Sequence, residues 1–219
     1  MFTIAIDGPS GSGKSTAARL TARRLGAQYL DTGAMYRAVA VGCLDSGIHQ
    51  DDPVAITDYC RTMDLDISTD PDDQHIRLAG RDITAAIREP EVSAWVRAVS
   101  TNPDCREELV RRQREIIASG DFVAEGRDIT TVVAPDAAVR VLLTADPQAR
   151  MRRRGAELGD KVDAAGLRDQ IIGRDLADST LVNFTVAADG VVTIDSTDLT
   201  PDQVVAQILL LAHRAGIVR

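Results

Sequence analysis

Long apolar runs, paired cysteines and an excess of positive charge are all missing from this sequence. No stretch of about 18 apolar residues occurs, so we expect no membrane-spanning helix. The three cysteines, Cys43, Cys60 and Cys105, are odd in number and lack metal-ligand spacing, which predicts free thiols in or near a core. The net charge of −8 argues against a general nucleic-acid-binding protein, because a phosphate backbone requires a basic partner face.

The bulk composition is that of an ordinary globular protein. Hydrophobic residues make up 44% of the 219 residues and charged residues 26%, enough for one well-buried domain with room for a small insertion. Repeats and low-complexity segments are absent. Met1 leads directly into a predicted strand, so we expect no signal peptide and a cytoplasmic location. We also expect a monomer without a membrane or nucleic-acid partner.

The most informative stretch is a glycine-rich loop near the N-terminus. It reads Gly8-Pro9-Ser10-Gly11-Ser12-Gly13-Lys14-Ser15 and continues into Thr16. The apolar run before it predicts a strand and the pattern after it predicts a helix, which is the context that the motif G-x-x-x-x-G-K-[ST] requires. Such a loop presents backbone N–H groups to phosphate oxygens, with Lys14 on the outer phosphates and Ser15 in a magnesium shell. The alternative is a flexible glycine-serine turn, but the complete pattern predicts nucleoside triphosphate binding.

Alternating strand and helix patterns run through the rest of the chain. Strands are predicted near residues 2–7, 28–30, 122–124, 139–144 and 191–195, and helices near 16–25, 31–44, 90–100, 103–119, 147–154, 168–178 and from 201 onward. This alternation predicts an α/β fold with a five-stranded parallel sheet and helices on both faces. Between residues 51 and 90, two alternating segments at 64–68 and 75–81 predict an inserted antiparallel hairpin.

Several classes of phosphate-loop protein are disfavoured by what the chain lacks. GTPases need a guanine-reading Asn-Lys-x-Asp, which is absent, and large ATPase modules need a longer chain. A small kinase fits better, because phosphoryl transfer depends on positioning and charge neutralisation, and guanidinium groups suit both tasks. Four arginines fall within residues 150–154, and we expect at least one of them to contact phosphate.

Five motifs resemble the bacterial cytidylate kinases, in that family's order. They are residues 6–15, Asp31 to Arg37, Arg111 to Arg114, Glu125 to Ile129, and Arg174 with Asp178. The resemblance covers almost the whole chain and includes the inserted hairpin region. It implies a nucleoside monophosphate kinase fold of the P-loop class, with a core at 1–50 and 104–219, an NMP-binding insertion at about 51–103 and a short lid at about 150–165. The implied reaction uses ATP and Mg²⁺ to convert CMP or dCMP to the diphosphate.

The resemblance also implies roles for individual residues. The implied acceptor site comprises Thr32, Tyr36, Arg37, Arg97, Arg106, Gly126, Arg127, Asp128, Arg174, Asp178 and Leu181. Within it, Arg106 contacts cytosine and Asp128 accepts a hydrogen bond from the cytosine amino group. The implied catalytic groups, which neutralise the migrating phosphoryl group, are Lys14, Arg127, Arg150, Arg153, Arg154 and Arg174.

Three positions depart from the family pattern. Arg97 stands where the family usually has a base-reading serine, Leu181 where it usually has an arginine, and Thr130 where it usually has a glycine. Drift within an ordinary cytidylate kinase is one interpretation, in which Arg97 supplies the guanidinium lost at Leu181. The other is a changed acceptor, such as a modified pyrimidine nucleotide or a related phosphorylated metabolite, because an arginine only donates hydrogen bonds whereas a serine also accepts them.

Two further classes stay open at this point. A kinase for a sugar or cyclitol hydroxyl is possible on the same scaffold, although Arg106, Asp128 and Asp178 suit a nucleotide acceptor better. A nucleotide-binding regulatory protein without catalysis is the second, and the intact Lys14 and Ser15 count against it. An assay of ADP release with different acceptors separates these classes.

Overall fold

A computed structural model describes residues 1–158 and 186–217. Its main sheet has five strands, all parallel, in the order β2-β6-β1-β7-β8. These strands are β1 (Thr3–Asp7), β2 (Gln28–Asp31), β6 (Phe122–Gly126), β7 (Val139–Thr144) and β8 (Val192–Asp195). The predicted five-stranded parallel α/β fold is confirmed, and β1, which precedes the glycine-rich loop, is the central strand.

Helices connect the strands, and a proline opens many of them. They are α1 (Lys14–Leu25), α2 (Thr32–Asp45), α3 (Pro53–Thr62), α4 (Pro90–Ser100), α5 (Pro103–Ile117), α6 (Pro147–Leu158) and α7 (Pro201–Arg214), with a short 3₁₀ turn at Ala86–Arg88 and a π turn at Ile129–Val133. Asp52, Asn102 and Thr200 each cap the helix that follows them, because each accepts a backbone N–H with its side-chain oxygen. The predicted helix near 168–178 lies outside the described residues.

The core lies on both faces of the sheet. Neighbouring residues of β1 point to opposite sides, so that Ala5 packs with α2, α4 and α5 while Ile4 and Ile6 pack with α1 and α7. The three cysteines are buried and free, as predicted. Among the described helices, none has the length and apolarity that crossing a membrane requires.

The segment from residue 51 to residue 90 holds more structure than the predicted hairpin. The hairpin strands β3 (Leu65–Ile67) and β4 (Ile76–Leu78) pair antiparallel, and a third strand, β5 (Arg81–Asp82), extends this small sheet. The prediction missed α3. Its signal was Asp52-Pro53, a cap followed by a first-turn proline, with Ile56 and Cys60 then spaced for one buried helix face.

Thr130, one of the three departures, is explained by a buried hydrogen-bond network. Asp7 at the end of β1 is 3% exposed and accepts from the backbone N–H groups of Ile129 and Thr130 at 2.8 and 2.9 Å. The Thr130 hydroxyl adds a third bond of 2.6 Å. A glycine here would leave Asp7 with the two backbone donors alone. Burial raises the pKa of Asp7 to about 6, and the bonds from Thr130 oppose that rise.

We expect Thr130→Val to destabilise the protein more at neutral than at acid pH. A raised folded-state pKa means that the stability contributed by protonated Asp7 is present below about pH 4 and lost as the pH rises through about 6. The Thr130 hydroxyl offsets part of that loss by donating to the charged carboxylate, and its removal should cost about 2 kcal/mol above pH 7 and less below pH 5. Urea unfolding across this range measures the difference. Thr130→Ser should restore stability, and a pH-independent loss would contradict the argument.

Candidate active site

One cleft opens at the carboxyl ends of β1, β2 and β6, where an open parallel sheet places its ligand contacts. Residues predicted for the donor site line it: Ser10, Gly11, Gly13, Lys14, Ser15 and Thr16. Residues predicted for the acceptor site line the same cleft: Thr32, Tyr36, Arg37, Arg106, Gly126, Arg127 and Asp128. Gly8, Pro9 and Ser12 belong to the same loop but lie outside this lining. Asp31, Arg88, Val96, Ser100 and Glu125 also face the cleft, without having been predicted for it.

The glycine-rich loop follows β1 and ends in α1. Gly13 has φ 87° at the start of that helix, and Gly11 has φ 76°, a conformation that favours glycine. A Cβ on Gly11 would also lie 2.7 Å from the Arg150 carbonyl oxygen, so a larger residue would push α6 off the loop. The cleft therefore has a backbone cradle at the N-terminus of a helix, which is a site suited to phosphate.

Glu125 is the centre of the donor end of the cleft. Its carboxylate is 2% exposed and accepts from the Ser15 hydroxyl at 2.6 Å and from the Tyr29 hydroxyl at 3.2 Å. Lys14 Nζ lies 3.9 Å from its second oxygen. Burial is the main cause that raises the pKa of Glu125, and neighbouring Asp31 adds to the rise, while Lys14 and Ser15 lower it. A desolvated carboxylate beside a hydroxyl is therefore poised to gain from a cation.

The oxygen atoms at this point fit a magnesium ion. Mg²⁺ takes one or two protein oxygen ligands and completes its shell with water and substrate phosphates. Ser15 Oγ and Glu125 Oε1 lie 2.6 Å apart beside the start of α1, close enough to contact the same ion. No group of three or more His, Cys, Asp or Glu residues that could hold a metal ion occurs in the described ranges.

The acceptor end of the cleft carries an ion pair. Arg106 Nη2 donates to Asp128 Oδ2 at 2.5 Å, and both side chains are largely buried. The Tyr36 hydroxyl is buried nearby, close to Asp128, Arg106 and the buried amide of Gln113. Arg37 is buried as well and donates to the Ile87 carbonyl and the Ser93 hydroxyl.

Thr32 and Gly126 hold two walls of the cleft together. The Thr32 hydroxyl donates to the Glu125 carbonyl at 2.8 Å, and a Cβ on Gly126 would lie 2.5 Å from that hydroxyl. Gly126 is thus required by the close approach of α2 to the end of β6. This contact positions the neighbouring Arg127 and Asp128.

Arg97 is placed differently from the prediction. Its side chain is exposed, and Val96 and Ser100 supply the cleft lining from α4. A helix turns by about 100° per residue, so Arg97 projects about 60° away from Ser100 around the axis. Arg97 is thus not among the lining residues, and Ser100 supplies a hydroxyl to this wall from the same helix, so the contact of Arg97 with the acceptor stays a prediction. The sequence pattern did not show which residues of α4 line the cleft, because that depends on which side of the helix packs against the core.

The arginines of α6 contact backbone groups around the loop. Arg150 Nη1 donates to the Ser10 carbonyl at 3.1 Å, and Arg153 donates to the carbonyls of Ser196 and Thr197 at 2.7 and 3.2 Å. Arg153 thereby ties α6 to the segment after β8, beside a second pocket that includes Gly11, Ser12, Thr16 and Pro201. The side chain of Arg154 and the predicted residues Arg174, Asp178 and Leu181 lie outside the described part of the chain.

Comparison with known proteins agrees with this geometry. The family model described as Cytidylate kinase matches residues 4–214. A cytidylate kinase of Cutibacterium acnes is 49% identical over 213 residues, covering 95% of this chain and 94% of its own. One of Carboxydothermus hydrogenoformans is 42% identical over 219 residues, covering 98% and 99%. The fold is shared with an uncharacterised protein of Eubacterium ventriosum, at a TM-score of 0.51 and 13% identity over 96% of this chain and 97% of that one. The chain has a glycine-rich phosphate loop, the buried carboxylate of Glu125 beside it and a family match over nearly its whole length. It therefore belongs to the cytidylate kinase family.

Proposed function

We propose that this protein transfers the γ-phosphoryl group of ATP to CMP, giving ADP and CDP. The observation that carries the proposal is one cleft that holds both a glycine-rich loop, with Lys14 and Glu125, and the ion pair of Arg106 with Asp128, whose donors and acceptors complement a cytosine edge. The relatives named cytidylate kinase support the same reaction. The proposal includes a core at residues 1–50 and 104–219, an NMP-binding insertion at about 51–103 and a lid at about 150–165.

The donor end binds and orients the triphosphate. Backbone N–H groups of the loop and the N-terminus of α1 face the phosphates, and Lys14 neutralises charge on the outer ones. Ser15 and Glu125 would hold Mg²⁺, which supplies charge neutralisation between the phosphates when bound. The pocket beside Arg153, Ser196 and Pro201 lies across the loop from the cleft and would take the donor base.

The acceptor end reads a cytosine edge through complementary hydrogen bonds. Cytosine presents an amino donor beside a ring nitrogen and a carbonyl, both acceptors. Asp128 accepts from the amino group, while Arg106, which only donates, meets the acceptors. Uracil places a carbonyl oxygen where the amino group stands, and this oxygen would face the Asp128 carboxylate without a proton between them. A site built this way rejects the mismatched base by orders of magnitude.

Transfer itself needs no protein nucleophile. A phosphate oxygen of CMP attacks the γ-phosphorus in line, its bond to phosphorus forms as the bond to the ADP oxygen breaks, and ADP leaves. Lys14 and the cleft arginine Arg127 stabilise the charge on the equatorial oxygens. The lid arginines, Arg150, Arg153 and Arg154, would contribute there and help to exclude water.

We expect the wild-type protein to prefer CMP over UMP by about 100-fold or more in kcat/KM, and Asp128→Asn to reduce that preference by about tenfold or more. The asparagine amide can donate to the uracil carbonyl, so the mismatch is relieved. ADP release with each acceptor is the measurement, and Asp136→Asn, an exposed change in the loop before β7, is the control.

Other outcomes of the same assay would contradict the proposal in distinct ways. ADP release with a sugar or cyclitol and none with CMP would indicate a hydroxyl kinase. Release with a modified pyrimidine nucleotide, and poor release with CMP, would indicate the changed acceptor. The absence of ADP release with every acceptor would indicate a regulatory protein.

A further inference from the structure

Asp7 ends β1 at the point where the two sides of the cleft meet. The next residue, Gly8, opens the glycine-rich loop of the donor side. In the parallel pairing of β1 with β6, Asp7 lies opposite Gly126, which leads into the acceptor residue Asp128. One residue at the end of the central strand therefore joins the chain segments of both sides.

The carboxylate of Asp7 holds the two residues that follow Asp128. Its Oδ1 accepts the backbone N–H of Ile129 at 2.8 Å, and its Oδ2 accepts the backbone N–H of Thr130 at 2.9 Å. The Thr130 hydroxyl donates to the same Oδ2 at 2.6 Å. Hydrogen bonds to a charged carboxylate are about twice as strong as neutral ones, and this carboxylate is buried. Both of its oxygens thus fix the chain directly after Asp128.

Asp128 is held on both sides by backbone contacts. On its N-terminal side, the pairing of β6 with β1 fixes the chain. On its C-terminal side, its carbonyl accepts the N–H groups of Val132 and Val133 at 2.8 and 3.1 Å, which closes the π turn. Its own carboxylate is buried and accepts from Arg106 at 2.5 Å. With the backbone fixed on both sides, this carboxylate has a defined direction in the cleft.

Asp7 and Thr130 lie outside the lining of the cleft that the described residues form, whereas Asp128 belongs to it. An effect of these two residues on the bound base therefore acts through the loop that carries Asp128. Such an effect is large in general, because a misplacement of about 1 Å is enough to lower a rate by about 100-fold. Thr130 is one of the three departures from the family pattern, and its hydroxyl adds a bond that a glycine there would not give.

We propose that Asp7 is the positioning residue for Asp128 and that the Thr130 hydroxyl reinforces it, so that selectivity for cytosine depends on two residues outside the cleft lining. This inference rests on the proposed function. Asp7 fixes the peptide units after Asp128, and they fix the direction of its carboxylate toward the base. In a looser loop the carboxylate would move away from that place, so that cytosine would lose a hydrogen bond and uracil would lose a repulsion.

Asp7→Asn should lower the preference for CMP over UMP in kcat/KM by about five- to tenfold, and Thr130→Val should lower it by about threefold. An asparagine has one acceptor oxygen, and its NH₂ group would face a backbone N–H, which loosens the loop. Thr130→Ser retains the hydroxyl and should keep the wild-type preference. The assays are run at pH 8, above the pKa of Asp7 of about 6, so that its carboxylate is charged.

The preference separates positioning from stability, because the concentration of folded enzyme cancels from the ratio of two kcat/KM values. Thr57→Val is the matched control. Thr57 is a buried threonine of α3 whose hydroxyl donates to the Pro53 carbonyl at 2.8 Å, and it lies outside the lining of the same cleft. This variant should lose stability in thermal unfolding and keep the preference for CMP.

A double variant tests whether Thr130 acts through Asp128. Adding Thr130→Val to Asp128→Asn should lower the preference no further, because the carboxylate that the hydroxyl helps to position is already absent. Additive losses in the double variant would overturn the inference.

An unchanged preference in folded Asp7→Asn and Thr130→Val would also overturn it, as would an equal loss of preference in Thr57→Val. If Asp7→Asn does not fold, Thr130→Val and the double variant decide the question. A lack of ADP release when the wild-type protein is given CMP would overturn the proposed function and this inference together, whereas the other results overturn the inference alone.

Discussion

Lys14→Ala is expected to lower kcat by about 10³-fold without unfolding the protein. Lys14 lies at the start of α1 in the cleft, and its ammonium group is 3.9 Å from the buried carboxylate of Glu125. Charge on the transferring phosphoryl group is greatest in the transition state, so a cation fixed beside it contributes more to turnover than to binding. Steady-state kinetics with CMP and ATP should therefore show a large fall in kcat and a small change in KM.

The control for this variant lies on the same helix. Arg19→Ala removes a cation from the exposed face of α1, outside the cleft, and should leave kcat near its wild-type value. Lys14→Arg keeps the charge but not the compact shape of the ammonium group, and it should recover only part of the activity. Near-normal turnover by Lys14→Ala would refute the assignment of the donor site.

The donor half of the site could be predicted from sequence because its parts are local. Residues 8–16 form a continuous loop and helix start, and a strand–loop–helix pattern fixes their geometry without reference to distant chain. The cap that Asp31 gives to α2 is equally local, since its partner Ala34 is three residues away. Short-range pattern and backbone chemistry are enough for such features.

The features that were missed depend on contacts between distant residues. The register of β2 with β6 places Asp31 beside Glu125. The next residue, Thr32, donates its hydroxyl to the Glu125 carbonyl, which lies 93 positions later in the chain. Thr130 differed from the family pattern, and its partner Asp7 lies 123 positions earlier in the chain. The spacing of residues in the sequence does not show which strands will pair. The position of Glu125 beside Lys14 and Ser15 therefore became clear only from the arrangement of the sheet.

The helices around the cleft were also only partly predictable from the sequence. The alternation in residues 64–81 predicted the hairpin, whereas Asp52-Pro53, a cap followed by a first-turn proline, is the signal of the helix that was missed. On α4 the pattern was right about the helix, but the packing of Trp95 and Val99 into the core turned Arg97 outward and Ser100 toward the cleft. A departure from a family pattern is informative only once the side of the helix that carries it is known.

Glu125→Gln is the second variant with a large expected effect, and it should separate activity from stability. We expect kcat to fall by about 10²- to 10³-fold. The neutral amide lacks the negative charge that faces Lys14 and that would bind a cation together with Ser15. Burial is the main cause of the raised pKa of Glu125, so the charged carboxylate is a burden to the folded protein when no ligand is bound. Thermal unfolding without nucleotide at pH 8 should therefore show Glu125→Gln to be at least as stable as the wild type.

The pH dependence of the wild-type protein should follow from the same carboxylate. A raised pKa means that folding favours the protonated form, so the stability that it contributes is present at low pH and lost as the pH rises through the folded-state value. Mg²⁺ with ATP favours the ionised form, and its stabilising effect on unfolding should grow with pH in the wild type and vary less in Glu125→Gln. Glu107→Gln, an exposed change on α5, should behave like the wild type. Loss of stability in Glu125→Gln together with an unchanged response to Mg²⁺ would show that the carboxylate serves the fold and not the reaction.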